Sequence, residues 1–298
     1  GTYANANLIN TRWLLGSNAA ATGTLLGSNG AAFAIINGTD WAATTSGSAQ
    51  LSPLAAGSYT TQNALGSWAA GQNITNSAAF SGTTPAGLSI NTLRLNTGTA
   101  STITIGDVLT LAAGGILETP TVGAFATTIT GGTLRGSAGG ELIVFQQNSN
   151  TAGTLTINSV IADNTSATAL TKAGPGSLVL GGTANTFTGD IFVLGGSLTA
   201  TTVGTGSTTG GLNARAGQTI NLAGGATLVL RSDADNTGTV QNVVYGSNLS
   251  LLGAGAAVLN IDRTGTLALN NALNKTLQFG SLSIGSQTFQ IVPATATN

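Results

Sequence analysis

The chain contains no cysteine, no histidine and no methionine. Without cysteine there is no disulfide and no thiolate ligand, and the redox compartment is not written in cysteine usage. Without histidine the commonest general base and metal ligand is missing. Without methionine the chain does not open on its own initiation codon. Gly1 is therefore read as a processed or trimmed end, with any signal peptide out of view.

Charge is also scarce. Only 6% of the 298 residues are charged, and the formal net charge is −1, against about a quarter charged in ordinary soluble domains. The 8 Lys and Arg residues are scattered. Nucleic-acid binding needs clustered cations to displace phosphate counterions, so that class is excluded. The same scatter argues against anionic membranes. No apolar run approaches the ~20 residues of a spanning helix, so no membrane span is expected.

What is present is glycine, 44 residues of it, in a chain that is 41% hydrophobic. That apolar share is too high for a disordered chain. The stretch from Ala169 to Thr201 shows how the two combine. Leu178, Val179 and Leu180 form a short apolar run between Gly174-Pro175-Gly176 and Gly181-Gly182. Ile191 to Leu194 form another, and Gly195-Gly196 turns the chain into Leu198. No run is long enough for an ordinary helix. The pattern reads strand, corner, strand, with glycine supplying positive φ at the corners and Val, Ile, Thr and Phe favouring strand between them. One such unit cannot bury its own apolar face, so it needs a copy above and below.

This stretch resembles the autotransporter-associated β-strand repeat of bacterial surface proteins. The matching residues are Leu170, Thr171, Lys172, Gly174, Gly176, Leu178, Leu180, Asn185, Thr186, Phe187, Thr188, Gly189, Gly196 and Leu198. The family pattern often has glycine where Asp190 stands, which reads as a tolerated surface change. The resemblance implies a right-handed parallel β-helix at or outside the bacterial cell surface. It implies no chemistry, because the repeat carries no catalytic residue.

Corners recur along the rest of the chain at Gly114-Gly115, Gly131-Gly132, Gly139-Gly140, Gly210-Gly211 and Gly224-Gly225. A corner spacing of about 20 to 35 residues fits solenoid turns. The fold expected is thus all-β, a parallel β-helix or β-solenoid, with a β-sandwich as the alternative. A sandwich would need many two-residue hairpin turns, and Asn-Gly pairs occur only at Asn29-Gly30 and Asn37-Gly38. In the strand-like run 141–147, Leu142, Val144 and Gln146 share one face, and Ile143, Phe145 and Gln147 the other.

Two regions are expected. Residues 1–87 hold all three tryptophans, Trp13, Trp41 and Trp68, and read as an irregular β region or cap of the solenoid. Residues 88–298 read as the solenoid, with the autotransporter-type repeat at 169–201. Packing in the cap accounts for the tryptophans. Stacking on sugar would need two rings facing solvent together. Asn and Thr near the corners form turns, and in stacked rungs they could also pair in ladders.

No catalytic constellation is found. The one acidic concentration is Arg231, Asp233 and Asp235, then Asp262-Arg263. A glycan-active β-helix enzyme would need such carboxylates to converge on one face. A solvated polar turn is the plainer reading, with Asp262 one rung away and paired to Arg231 or Arg263 on the surface. Asp233, Asp235 and Thr237 also resemble the opening of a calcium loop, but its twelfth position would be Val244, not Glu. Calcium is thus a weak candidate, and no cofactor is expected. No histidine is available to activate a serine.

The function expected is that of a non-enzymatic extracellular structural protein, a self-assembling filament, sheath or adhesin. The alternative is a passenger fragment of an autotransporter-like adhesin that binds glycan or a host surface. The expected partners are further copies of the chain, head to tail, and a cell-surface glycan.

Overall fold

A computed structural model describes residues 24–25, 32–44, 51–182, 184–202, 210–232, 242–262 and 276–293. Among these residues the regular structure is β-strand, with four short 3-10 turns and no α-helix. Eighteen strands join into one sheet system. Its pairings are parallel, as in Glu141–Gln146 with Ala169–Ala173, and Ser177–Leu180 with Ser197–Thr202. Parallel partners must be separated by a full crossover. The chain makes each crossover by passing round the other faces of a solenoid, not through a helix. The parallel register excludes the β-sandwich for these residues.

Each rung has three short sides. In one full turn, Leu134 lies on the first side, Leu142 and Val144 on the second, and Leu155 and Ile157 on the third. The chain then reaches Ile161, which pairs back with Leu134. Alternation puts every second side chain inside, and register stacks like on like. Leu155, Leu178, Leu198, Leu228, Leu259 and Ile291 are successive partners on one side. Leu142, Leu170, Ile191, Ile220, Leu249 and Leu282 are successive partners on another. Leu178, Leu180, Ile191, Val193 and Leu198 are all fully buried.

Glycine makes the bends where no other residue fits. At Gly132, a Cβ would meet the Asp107 carbonyl oxygen of the previous rung at 2.1 Å. At Gly174, φ is +85° and a Cβ would meet the Gln146 carbonyl oxygen at 2.4 Å. At such corners the backbone of one rung lies directly on the next.

Parallel stacking begins with Tyr59–Thr61, which pairs with Asn73–Thr75. Before it, Thr24–Leu25, Ile35–Ile36, Asp40–Thr44 and Leu51–Pro53 pair antiparallel. Asn37 and Gly38 both take positive φ in the turn between two of these strands, as the Asn-Gly pair predicts. This small sheet lies on the flank of the solenoid. Trp41, Ala32, Ala43 and Leu54 cover outward-facing Ala113, Leu117, Ile143, Phe145 and Ala173. Trp41 meets Phe145 edge to face, with ring centroids 5.9 Å apart.

The last described rung is different. Leu249 is buried, but Leu282, its partner one rung on, is 52% exposed. Leu259 is buried, and its partner Ile291 is 61% exposed. These residues rim a cavity of about 200 Å³ that also involves Leu277, Phe279 and Phe289.

Candidate functional site

Among the sequence-predicted site residues, Arg231 and Asp262 are brought together. They are register partners on successive rungs, and the Arg231 Nε donates to the Asp262 Oδ2 at 2.9 Å. Arg231 is largely solvent-exposed, so the pair is worth less than about 1 kcal/mol. Asp233, Asp235, Thr237 and Arg263 lie outside the described residues. Among the described residues no three carboxylates gather as a metal site.

Trp41 and Trp68 are both buried. Trp68 packs edge to face on Phe80 at 5.5 Å and donates its indole N–H to the Gln62 carbonyl. Neither ring is free to stack on sugar. Trp13 lies outside the described residues.

The flank sheet is pinned by polar contacts. Arg94 pairs with Asp40, and its guanidinium sits 3.7 Å over the centre of the Tyr59 ring. Burial pushes the Tyr59 hydroxyl up to about 12, and the neighbouring Asp40 carboxylate adds to this. The Trp41 N–H and the Arg94 charge work against it. Tyr59 is therefore a neutral phenol at any physiological pH.

Side chains stitch the corners between rungs. The Asp163 Oδ1 accepts from the N–H groups of Thr168 and Thr188, both at 2.8 Å, and Oδ2 accepts from the Thr188 hydroxyl at 2.7 Å. Burial pushes that carboxyl up, but these hydrogen bonds and the Arg215 charge outweigh it and hold it below its ordinary value. The Asn185 Oδ1 accepts from the Ile161 N–H on one side, and its Nδ2 donates to the Gly211 carbonyl on the other. One amide thus spans three rungs. Thr119 donates to the Asn96 Oδ1, and the Asn76 Oδ1 accepts from the Asn96 N–H. The Asn and Thr residues near the corners do pair along the axis.

Among the described residues, one carboxyl and one amine side chain lie inside the solenoid, those of Glu118 and Lys172. Glu118 is a register partner of Gln146, whose Nε2 donates to its Oε1 at 2.8 Å. The Asn148 Nδ2 donates to the same oxygen at 3.3 Å. Burial pushes the Glu118 carboxyl up, against hydrogen bonds from Gln146, Asn148 and Thr127.

Lys172 stands in an aliphatic column, with Val144 on one rung and Val193 on the next as its register partners. It is fully buried. Its Nζ donates to the Gly174 carbonyl at 2.6 Å and to the Gly195 carbonyl at 2.8 Å. These carbonyls belong to the glycine corners of successive rungs. Among the described residues no carboxylate pairs with Lys172. Burial pulls its ammonium down to about 7.

The sequence names Lys172 as a repeat position but assigns it no role. The available signal is its phase: Lys172 shares the inward parity of Leu170, where only apolar residues are expected. Glu118 carries the same signal two residues after Ile116.

The comparisons agree with this geometry. A sequence model of the passenger-associated-transport-repeat family matches residues 170–200. The chain carries that repeat, and its strands from Ala169–Ala173 to Ser197–Thr202 form one turn of the solenoid and enter the next. The chain is also similar to an adhesin autotransporter of Brucella suis biovar 1 (strain 1330), Adhesin BmaC. The two are 33% identical over 190 residues, 62% of this chain. The chain spans only 5% of that relative's length. No solved structure matches the chain.

Proposed function

We propose that this chain is a segment of an autotransporter-type adhesin passenger, displayed on the bacterial surface, that works by shape and stiffness. The observation that carries the reading is unbroken parallel register through residues 170–200, where the passenger repeat matches. A solenoid whose rungs touch only their neighbours extends a surface away from the cell at low cost in sequence complexity. The outer strands then present uncharged Thr, Ser, Asn and Val. The repeat match and the adhesin relative support contact and display as the work of this surface. The test is display of the chain on a non-adherent bacterium through an unrelated export module. Adherence to host-cell monolayers above that of the export module alone is expected. Adherence equal to the module alone overturns the adhesin reading.

Self-association is a second reading, favoured by apolar side chains exposed on the last described strands. Leu282, Ile284, Ile291 and Val292 are exposed together there. Exposed strand edges with apolar side chains template pairing with another chain.

A further inference from the structure

Lys172 is an amine in an apolar column. Val144 lies below it, Val193 above it, and its partners are two backbone carbonyls. An ammonium without a counter-charge is costly inside a protein, whereas a neutral amine keeps two N–H donors for two carbonyls. The charged groups on the strands packed against it are engaged elsewhere. The Glu141 Oε2, at the start of the neighbouring strand, accepts from the Thr171 hydroxyl. The Asp190 Oδ1, just before the next strand, accepts from the Thr219 N–H. Glu118 lies one rung beyond Gln146 and is held by amides.

The rest of the chain sharpens the point. With no histidine and no cysteine, the side chains that ordinarily titrate between pH 6 and 9 are missing. Among the described side chains, Lys172 is the one that burial pulls into that range.

We propose that the Lys172 corner is a pH-responsive joint: the neutral amine clips the Gly174 and Gly195 corners together, and protonation loosens those rungs. The sign follows from linkage. Burial brings the folded-state value down to about 7 from the ordinary 10.5. The unfolded chain therefore holds more protons across that window, and stability rises with pH between them. Below about pH 7 the full penalty of the buried charge applies. A passenger segment built this way is tightest in alkaline surroundings, and 169–202 loosens as pH falls from about 10.5 toward about 7. The joint does not depend on the adhesin reading, because it is measured on the isolated chain.

The experiment is guanidinium unfolding of the whole chain at pH 6.5 and pH 9.5. The wild-type midpoint is expected to be higher at pH 9.5. Lys172→Met should remove most of that difference, and Glu118→Gln should retain it. Equal wild-type midpoints, or an unchanged difference in Lys172→Met, overturn the proposal. A second measurement needs no variant. Lys172 and Lys275 are the two lysines of the chain, so their side-chain Cε resonances can be followed separately in the wild type. Lys172 should titrate near neutral pH, well below the ordinary lysine value of ~10.4. Titration of Lys172 at the ordinary lysine value overturns the joint, whatever the variant does.

Discussion

Gly115 lies directly beneath the indole of Trp41: a Cβ on Gly115 would sit 2.6 Å from the Trp41 Cη2 and 2.5 Å from the Ala32 Cβ. In the Gly114-Gly115 pair, only Gly114 has positive φ, +79°. Gly114 makes the bend, and Gly115 makes room for the flank sheet. Gly115→Val should therefore lift the flank sheet without unstacking the rungs. Arg94→Ala should do the same by removing the Asp40 pair and the contact with Tyr59. Faster protease cutting within 32–54, with little change in the solenoid's own unfolding, is the expected result. Loss of both together would show that the flank sheet and rungs are one cooperative unit.

Glu118 gives a pH prediction opposite in sign to that of Lys172. Its folded-state carboxyl is raised above the ordinary value. The folded state therefore holds more protons, and stability declines as pH rises from the ordinary carboxylate range toward that raised value. Glu118→Gln keeps the shape and stays neutral. The variant should match the wild type at pH 4 and exceed it at pH 7, read as the unfolding midpoint at each pH. A variant weaker than the wild type at both would mean that the carboxylate itself holds the corner.

Leu180 stands in a column with Ile157 one rung below and Ala200 one rung above. Leu180→Asp buries a carboxylate with no counter-charge. A buried charge left without its partner costs about 3–5 kcal/mol. Because rungs are stabilised by their neighbours, the damage should spread through 155–202. Amide exchange in that interval should rise by orders of magnitude. Wild-type protection there would reject the register.

The apolar side chains exposed on the last described strands set an assembly prediction. Leu282→Lys with Ile291→Lys places like charges on those strands, the usual natural block to strand pairing. Light scattering on the wild-type chain should show mass growing with concentration, and the double variant should stay monomeric. A wild-type chain that is already monomeric at high concentration removes the self-association reading and leaves the passenger reading intact.

Much of this fold is legible one residue at a time. Alternation in 141–147 correctly separates Leu142, Val144 and Gln146 from Ile143 and Phe145. Asn37-Gly38 marks its hairpin turn. Rung spacing offers Arg231 or Arg263 as the partner of Asp262, and the structure shows the pair with Arg231. What Ile143 and Phe145 face is another matter. Their outward side is apolar because Trp41 comes back to it from about a hundred residues upstream, and no local pattern carries that.

By itself, then, the sequence determined that this chain folds as stacked short strands with glycine at the corners. Period-two alternation and positive-φ positions are local properties of the backbone. It also determined what the chain lacks, since absent residue types cannot be restored by folding. Only the tertiary structure decided which polar residues lie inside. Glu118 and Lys172 are buried because parallel partners from neighbouring rungs sit directly above and below them. That register is set by contacts about 20 to 35 residues apart along the chain. The cost of a charge depends on those neighbours and not on its own stretch of sequence.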